Sequence, residues 1–282
     1  MLNCSDDQRP FLLSEDAHEN IYRSSITHSL EAIREVKHPI ALFLGAQPGS
    51  GKTRLRESLL SQNDGVVINT DDLRWFHPAY NRLLENPATN PLGPYLVDPD
   101  ATAWSIRLFN EALQQRSNVV IDSTFGGNPA HVIARLQTLH AQGYQNEFHI
   151  IAVNPRVSKL GIYLRYENGI NDGNPERMVS MEVHDRNFKN LPENLMEIAR
   201  TCRHLIARVV IYSRGMNRSW SPIYETSYPC DFDESIQRLN TERQRPFTAD
   251  EAENFAQTID EVSQLILRRN GNVEKFLEAL SV

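Results

Sequence analysis

Gly45-Ala-Gln-Pro-Gly-Ser-Gly-Lys-Thr53 is the stretch of sequence that decides the fold. Residues 40–44 before it form an apolar run typical of a buried parallel strand, and a helix is predicted over residues 52–60 after it. Small residues in such a turn let successive backbone N–H groups surround phosphate oxygens. The lysine then reaches the β- and γ-phosphates and the threonine hydroxyl coordinates Mg²⁺. The sequence therefore predicts a P-loop that binds ATP and Mg²⁺.

The predicted nucleotide contacts are Gln47, Pro48, Gly49, Ser50, Gly51, Lys52 and Thr53. One position departs from the strict P-loop pattern, because Ala46 stands where the pattern has its first glycine. Alanine is a mild change there if its φ is negative.

Apolar runs alternate with helical patterns on either side of this turn. Further strands are predicted over residues 66–68, 119–121, 148–153 and 206–212. Helices are predicted over residues 15–37 (one or two helices, with Ser14 as the cap), 98–115, 129–142 with Gly143 closing it, 156–168, 176–188 and 192–202. This alternation predicts an α/β, P-loop kinase-like parallel sheet with helices on both faces, whose ligands bind at the carboxyl ends of the strands.

Both ends of the chain are predicted to be short helical extensions of this core. We expect a helical N-terminal extension over residues 1–37, of which residues 1–14 are frayed, and a kinase domain over residues 38–225. A C-terminal extension over residues 226–282 is expected to pack on the core, with an amphipathic helix over residues 250–269 and a short terminal one.

Composition narrows the class of protein. The chain has 282 residues and a formal net charge of −7, which argues against general nucleic-acid binding. Its three scattered cysteines form neither a disulfide framework nor a zinc motif, and no apolar run reaches the length of a membrane span. We expect a cytoplasmic protein with no nucleic-acid partner and no membrane segment.

Two acidic residues follow the second predicted strand. Asp71 is placed to accept a proton from an attacking hydroxyl, as kinase bases do, and the adjacent Asp72 competes for that role. The alternative is that Asp71 caps a helix beginning near Leu73. Spacing alone leaves both interpretations open.

A third acid ends the next strand. Asp122 follows the apolar residues 119–121, as in a strand that holds Mg²⁺ or its water shell, although a plain strand-end turn has the same pattern. Thr124 is expected either to hydrogen-bond substrate or to cap a turn.

The basic candidates are Arg165 and Arg177, on and just after a late helix where small kinases carry a lid. Arginines there neutralise charge on the transferring phosphoryl group. The alternative for each is a solvated surface arginine.

In this order the residues resemble the zeta toxin family of P-loop kinases over roughly residues 15–225. The motifs that carry the resemblance are Gln47-Pro-Gly-Ser-Gly-Lys-Thr53, Asn69-Thr-Asp-Asp-Leu-Arg-Trp-Phe-His-Pro78, Val119-Val-Ile-Asp-Ser-Thr124, Leu160-Gly-Ile-Tyr-Leu-Arg-Tyr-Glu167, Arg177, His184-Asp185 and Asn190-Leu-Pro192. The resemblance implies ATP-dependent phosphorylation of the 3′-hydroxyl of UDP-N-acetylglucosamine, which blocks peptidoglycan synthesis in the bacterial cytoplasm. It also implies a small helical antitoxin that covers the ATP site.

The resemblance also assigns roles to residues. Its catalytic set is Asp71 as base, Lys52 on the ATP phosphates, and Arg165 and Arg177 on the transferred charge. Its substrate-binding candidates are Asp122, Thr124 and Asp72, and its metal candidates are Thr53 and Asp122.

The sequence leaves the family pattern on the acceptor side. Many members carry a substrate-contacting arginine where this chain has Gly126, and Ser123 replaces a usual glycine. Two alternatives follow: a related kinase of another nucleotide-like acceptor, or a catalytically silent nucleotide-binding relative. Either terminal extension is also a candidate for a cis-inhibitory segment.

Overall fold

The computed structural model describes residues 4–31, 34–174, 176–215 and 220–281. Its strands are β1 (Ile40–Gly45), β2 (Val66–Ile68), β3 (Val119–Ser123), β4 (Gln145–Ala152), β5 (Ile206–Arg214) and β6 (Trp220–Ser227). They form one sheet in the order β2-β3-β1-β4-β5-β6. The first five are parallel, as predicted, and β6 is an antiparallel edge strand beside β5.

Helices cover both faces of the sheet, which confirms the predicted fold class. They are α1 (Glu15–Ile21), α2 (His28–Glu31), α3 (Lys52–Leu60), α4 (Thr70–Leu73), α5 (Tyr80–Glu85), α6 (Gly93–Gln114), α7 (Pro129–Ala141), α8 (Pro155–Asn171), α9 (Met181–Cys202), α10 (Phe232–Gln244), α11 (Ala249–Arg268) and α12 (Val273–Leu280). A π-helical turn (Tyr22–Ile26) lies between α1 and α2, and short 3₁₀ turns span Arg9–Phe11, Arg74–Phe76 and Arg203–Leu205.

The core lies in two layers, one on each face of the sheet. On β1, Ala41 and Phe43 belong to one cluster of buried apolar side chains, whereas Leu42 and Leu44 belong to the other. This alternation follows from the two-residue period of a strand. Side chains from α11 and α12 complete the second cluster, so the C-terminal helices cover that face of the sheet.

Two helix predictions near the C-terminal half were wrong. Residues 176–188 and 192–202 do not form two helices: residues 176–180 are outside any helix, and α9 runs unbroken through Pro192. Buried Leu191 and Leu195 hold the helix against the core on both sides of the proline. The sequence interpretation also missed α10, which begins at the Asp231 cap between two prolines that suggested loop.

The N-terminal segment is better ordered than predicted. Ser14 caps α1 by accepting a hydrogen bond from the Ala17 backbone N–H, as expected. Residues 4–14, however, are not frayed, because Gln8 is buried and its Nε2 donates to the Tyr95 carbonyl at 2.8 Å. Residues 1–3 lie outside the described residues, as does part of the predicted helix near residue 32.

Within the described ranges, no helix is both long and apolar enough to cross a lipid bilayer.

Candidate active site

The glycine-rich turn forms a P-loop between β1 and α3. Gly49 and Gly51 have φ values of +77° and +86°, which residues with a side chain rarely adopt. Ala46 is buried and is absent from the residues with positive φ, so alanine fits this position of the loop. The α3 helix begins at Lys52, and its N-terminal dipole favours an anion in the loop.

The P-loop packs directly against the backbone of α8. A Cβ atom built on Gly49 would lie 2.0 Å from the Ser158 carbonyl oxygen, and one on Gly161 would lie 2.5 Å from the Gly49 carbonyl oxygen. Gln47 braces the loop from within: it is fully buried, and its Nε2 donates to the Val153 carbonyl at 3.0 Å and to the Ser158 hydroxyl at 3.2 Å. The side chain of Gln47 is thus directed into the protein.

One cavity of about 750 Å³ lies at the carboxyl ends of the strands and contains the predicted site. The candidate residues that line it are Pro48, Gly49, Ser50, Gly51, Lys52, Thr53, Asp71, Asp72, Asp122, Thr124, Arg165 and Arg177. The described residues that line this cavity all fall between Pro48 and Trp220. The described parts of the two terminal extensions therefore do not enter it, which leaves the cis-inhibitory alternative without structural support.

Asp71 does not cap a helix. The cap of α4 is Asn69, whose side chain accepts the Asp71 backbone N–H at 2.9 Å. The Asp71 carboxylate is free of that role, and 67% of its side-chain surface stays open to the cavity.

The Asp71 carboxylate lies among cations. It pairs with Arg74 one turn along the chain and lies 3.8 Å from an Arg177 nitrogen. Partial desolvation inside the cavity raises the pKa of this carboxyl. Attraction to Arg74, Arg177, Lys52 and Arg165 outweighs that effect, so the net pKa is below its ordinary value. Asp71 is therefore ionised at neutral pH.

Asp72 lies in a different environment, where Arg56 bridges it to Asp122. The Arg56 guanidinium is 2.7 Å from Asp72 and 3.3 Å from Asp122. Burial raises the pKa of the Asp72 carboxyl despite this partner, and the nearby carboxylates add to the rise. Because Asp72 pairs with Arg56, whereas Asp71 lies beside the phosphate-side Arg177, Asp72 is the weaker candidate for a base.

Asp122 joins the P-loop to the end of β3. Its Oδ1 lies 3.8 Å from the Lys52 Nζ, and its Oδ2 accepts from Arg56 at 3.3 Å and from the Asn69 amide at 3.3 Å. Only 7% of its side-chain surface is exposed. The carboxylate thus faces the position that β- and γ-phosphates take in a P-loop.

The two predicted arginines approach the cavity from α8 and from the connection after it. Arg165 lies 3.8 Å from Glu176 and keeps 47% of its side-chain surface exposed. Arg177 is more enclosed, at 29%, and its Nε has no hydrogen-bond partner among the described residues. Both are placed to meet an anion entering the cavity.

Two arginines that pair with the carboxylates of the site were not predicted from the sequence. Arg56 lies one helical turn after Lys52 on α3, and Arg74 lies three residues after Asp71, where α4 passes into a 3₁₀ turn. That spacing places side chains on the same helix face, which is the signal that would have found them.

A magnesium ion fits the oxygen donors of this site. Mg²⁺ prefers oxygen ligands and is usually held by one or two carboxylates together with substrate phosphates. The Thr53 hydroxyl and the Asp122 carboxylate both line the cavity beside the P-loop. No cluster of three or more His, Cys, Asp or Glu able to bind a metal occurs in the described part of the chain. Two such oxygen donors would need the phosphates of a nucleotide to complete the coordination of a Mg²⁺ ion.

A parallel sheet, a P-loop on its first strand and carboxylates at the neighbouring strand ends define a nucleotide-binding fold of the P-loop kinase type. The sequence profile of the family described as Zeta toxin matches residues 24–225. The chain belongs to the zeta toxin family.

Individual relatives agree with this assignment. The chain is 30% identical over 203 residues to a protein named Toxin zeta from Streptococcus pyogenes, covering 70% of this chain and 68% of that protein. It is 26% identical over 208 residues to Toxin PezT from Streptococcus pneumoniae, covering 71% and 80%.

Solved structures share the fold. A structure of the PezAT chromosomal toxin–antitoxin system of Streptococcus pneumoniae matches with a TM-score of 0.73 at 20% identity, covering 93% of this chain and 99% of that one. The AvrRxo1-ORF1:-ORF2 complex with ATP matches with a TM-score of 0.55 at 15% identity, covering 99% and 86%.

Proposed function

We propose that this chain is an ATP-dependent kinase that phosphorylates the 3′-hydroxyl of UDP-N-acetylglucosamine in the bacterial cytoplasm and so blocks peptidoglycan synthesis. The observation that carries the proposal is the convergence of Lys52, Asp71 and Arg177 in one cavity beside a P-loop. Membership of the zeta toxin family supports the reaction class, and the choice of acceptor follows from the family resemblance.

In the proposed reaction, Asp71 accepts the proton of the acceptor hydroxyl. The hydroxyl oxygen forms a bond to the γ-phosphorus while the bond from that phosphorus to the bridging oxygen of ADP breaks. Phosphoryl transfer passes through a loose transition state, so a base needs correct placement more than a high pKa. The lowered pKa of Asp71 is compatible with this role, because the carboxylate is ionised and held by Arg74 and Arg177.

Three cations stabilise the charge that develops on the transferred group. Lys52 approaches it from the P-loop, and Arg165 and Arg177 approach it from α8 and the following connection. Fixed cations in a partly enclosed site stabilise such charge without reorganisation during the reaction. Thr53 and Asp122 would hold a Mg²⁺ ion, which supplies further neutralisation of phosphate charge when bound.

A second acceptor class is supported by one specific observation, the glycine at position 126. A related kinase that lacks the arginine there would act on a different nucleotide-like acceptor. The catalytically silent alternative has no chemical need for Lys52, Asp71 and the two arginines together.

We also propose an antitoxin partner. The PezAT structure is described as a toxin–antitoxin system, and the described terminal segments of this chain do not enter the cavity. A separate chain that covers the ATP site is therefore the proposed inhibitor.

Product identification by mass spectrometry tests the proposed function. The protein is incubated with ATP, Mg²⁺ and UDP-N-acetylglucosamine, and in parallel with a panel of nucleotide-sugars and dinucleotides. We expect a mass increase of one phosphate on UDP-N-acetylglucosamine. Transfer only to another acceptor would establish the second class, and no transfer at all would leave the silent relative.

A matched pair of variants tests the base. Asp71→Asn is expected to lower kcat by a factor on the order of 10² to 10⁴, the usual contribution of a positioned base. Asp72→Asn is expected to lower it less, because that carboxylate pairs with Arg56 and not with the phosphate-side Arg177. A larger loss in Asp72→Asn would reverse the assignment.

A further inference from the structure

The loop after β3 is fastened to α9 by a row of asparagines. We call residues 123–128 the acceptor-side loop. Asn190 Nδ2 donates to the Gly126 carbonyl at 3.2 Å, and Asn194 Nδ2 donates to the carbonyls of Phe125 and Gly127, each at 2.7 Å. These bonds fix the acceptor-side loop relative to α9.

Asn187, one turn earlier on α9, occupies the space beside Gly126. A Cβ atom built on Gly126 would lie 2.1 Å from the Asn187 Oδ1 and 2.6 Å from the Asn187 Cα. The second obstacle is a main-chain atom, so rotation of the Asn187 side chain would not remove it. In this arrangement position 126 holds no side chain, whether cationic or neutral.

Asn187 also forms part of the cavity wall, together with Ser123 and Thr124. The two hydroxyls accept the backbone N–H groups of Phe125 and Gly126 at 3.2 and 3.3 Å. A hydroxyl that accepts in this way keeps its own hydrogen to donate. The Asn187 Nδ2 donates to the Val183 carbonyl at 2.7 Å, which turns its carbonyl oxygen towards the loop. The wall is therefore polar and uncharged.

The three residues of this wall supply no cation to a phosphate. The carboxylate nearest to it along the chain, Asp122, is paired with Lys52 and Arg56. The cations of the cavity come from other elements, with Lys52 on α3 and Arg165 on α8. An acceptor that carries both phosphates and hydroxyl or amide groups thus gains most by directing its uncharged part to the acceptor-side loop.

We propose that Asn187 is a specificity-determining residue of the acceptor site: it fills the space of a side chain at position 126 and selects the hydroxyl- or amide-bearing part of the acceptor. This inference rests on the proposed kinase function, and it deepens it by stating which chemistry the acceptor presents to this wall.

Steady-state kinetics of two matched variants tests the inference. Asn187→Leu and Asn194→Leu make the same change on the same helix, and both residues contact or hold the acceptor-side loop. Only Asn187 of the two lines the cavity. The acceptor is UDP-N-acetylglucosamine or, if the protein does not phosphorylate it, the compound that mass spectrometry identifies as phosphorylated in a bacterial metabolite extract.

We expect the KM for the acceptor to change in Asn187→Leu and the KM for ATP to stay nearly constant. Asn187→Leu should raise the KM for the acceptor about tenfold, the effect of one lost hydrogen bond to an uncharged group, and leave the KM for ATP within about twofold. Asn194→Leu removes two bonds to the loop but no cavity-lining group, so it should raise the KM for the acceptor by no more than about threefold and leave the KM for ATP within about twofold. Thermal unfolding of both variants reports whether they fold.

Other results would distinguish failure of the inference about Asn187 from failure of the proposed kinase function. Equal changes in the two variants, or a change in both KM values of Asn187→Leu, would show that Asn187 only holds the loop and would overturn the inference alone. If the wild-type protein transfers phosphate to no compound, the proposed function fails and this inference fails with it.

Discussion

Replacing Arg269 by methionine is expected to lower the free energy of unfolding by about 3 kcal/mol. Arg269 follows α11 and donates two hydrogen bonds, of 2.7 and 2.6 Å, to the carboxylate of Glu167 on α8. The Glu167 side chain is only 1% exposed, so the variant leaves a buried carboxylate without its partner. Breaking such a pair costs about 3–5 kcal/mol, and the 40% exposure of Arg269 places this case at the lower end, because water reaches the vacated space.

Urea unfolding followed by circular dichroism measures this change. Arg268→Met is the matched control, because Arg268 is the exposed last residue of α11, next to Arg269, and its loss should cost no more than about 0.5 kcal/mol. Adding Glu167→Gln to Arg269→Met removes the stranded charge, so the double variant should return to within about 1 kcal/mol of wild type. A double variant as unstable as Arg269→Met would refute the electrostatic explanation and assign the loss to the packing of the arginine stem.

Three further predictions follow from the same geometry. Gly49→Ala should abolish ATP binding in isothermal titration, because its Cβ would lie 2.0 Å from the Ser158 carbonyl oxygen and its φ is +77°; unchanged affinity would show that the P-loop moves freely. Stability should fall as the pH is lowered through about 6.5, because burial lowers the pKa of His184 in the folded state, so the unfolded state binds the proton first; urea midpoints should depend less on pH in His184→Gln, and an unaltered slope would contradict this. Gly126→Ala should lower the free energy of unfolding by about 1–3 kcal/mol, whereas Gly127→Ala, with open space at its Cβ, should leave it nearly unchanged. Equal losses in the two variants would argue against the close contact with α9.

Local features of the fold could be predicted from sequence. The P-loop, the short strand β2 and the start of α3 at Lys52 depend on residues within a few positions of one another. The edge strand β6 could not, because its residues are mostly exposed and alternate too weakly to be separated from a loop. Its place in the sheet is determined by pairing with β5.

In the site, too, some features were predicted from local sequence and others were not. Strand-end acids such as Asp71 and Asp122 were predicted from the rule that ligands bind at the carboxyl ends of parallel strands. The capping role of Asn69 was not predicted. Asn and Asp are nearly equally favourable as N-caps, so the sequence alone does not show which of the neighbouring Asn and Asp residues caps α4. The contact between Gly126 and Asn187 joins two distant parts of the chain, so no local sequence pattern predicts it.

The approach of the P-loop to α8 has a consequence for how related sequences vary. Positions in contact usually change together, because a larger side chain on one is accommodated by a smaller one on the other. Here the obstacle to a side chain at Gly161 is the carbonyl oxygen of Gly49, and the obstacle at Gly49 is the carbonyl oxygen of Ser158. No substitution removes a main-chain carbonyl, so neither glycine has a compensating partner. This contact should therefore leave no covariation signal, although the two backbones leave no room for a Cβ atom between them.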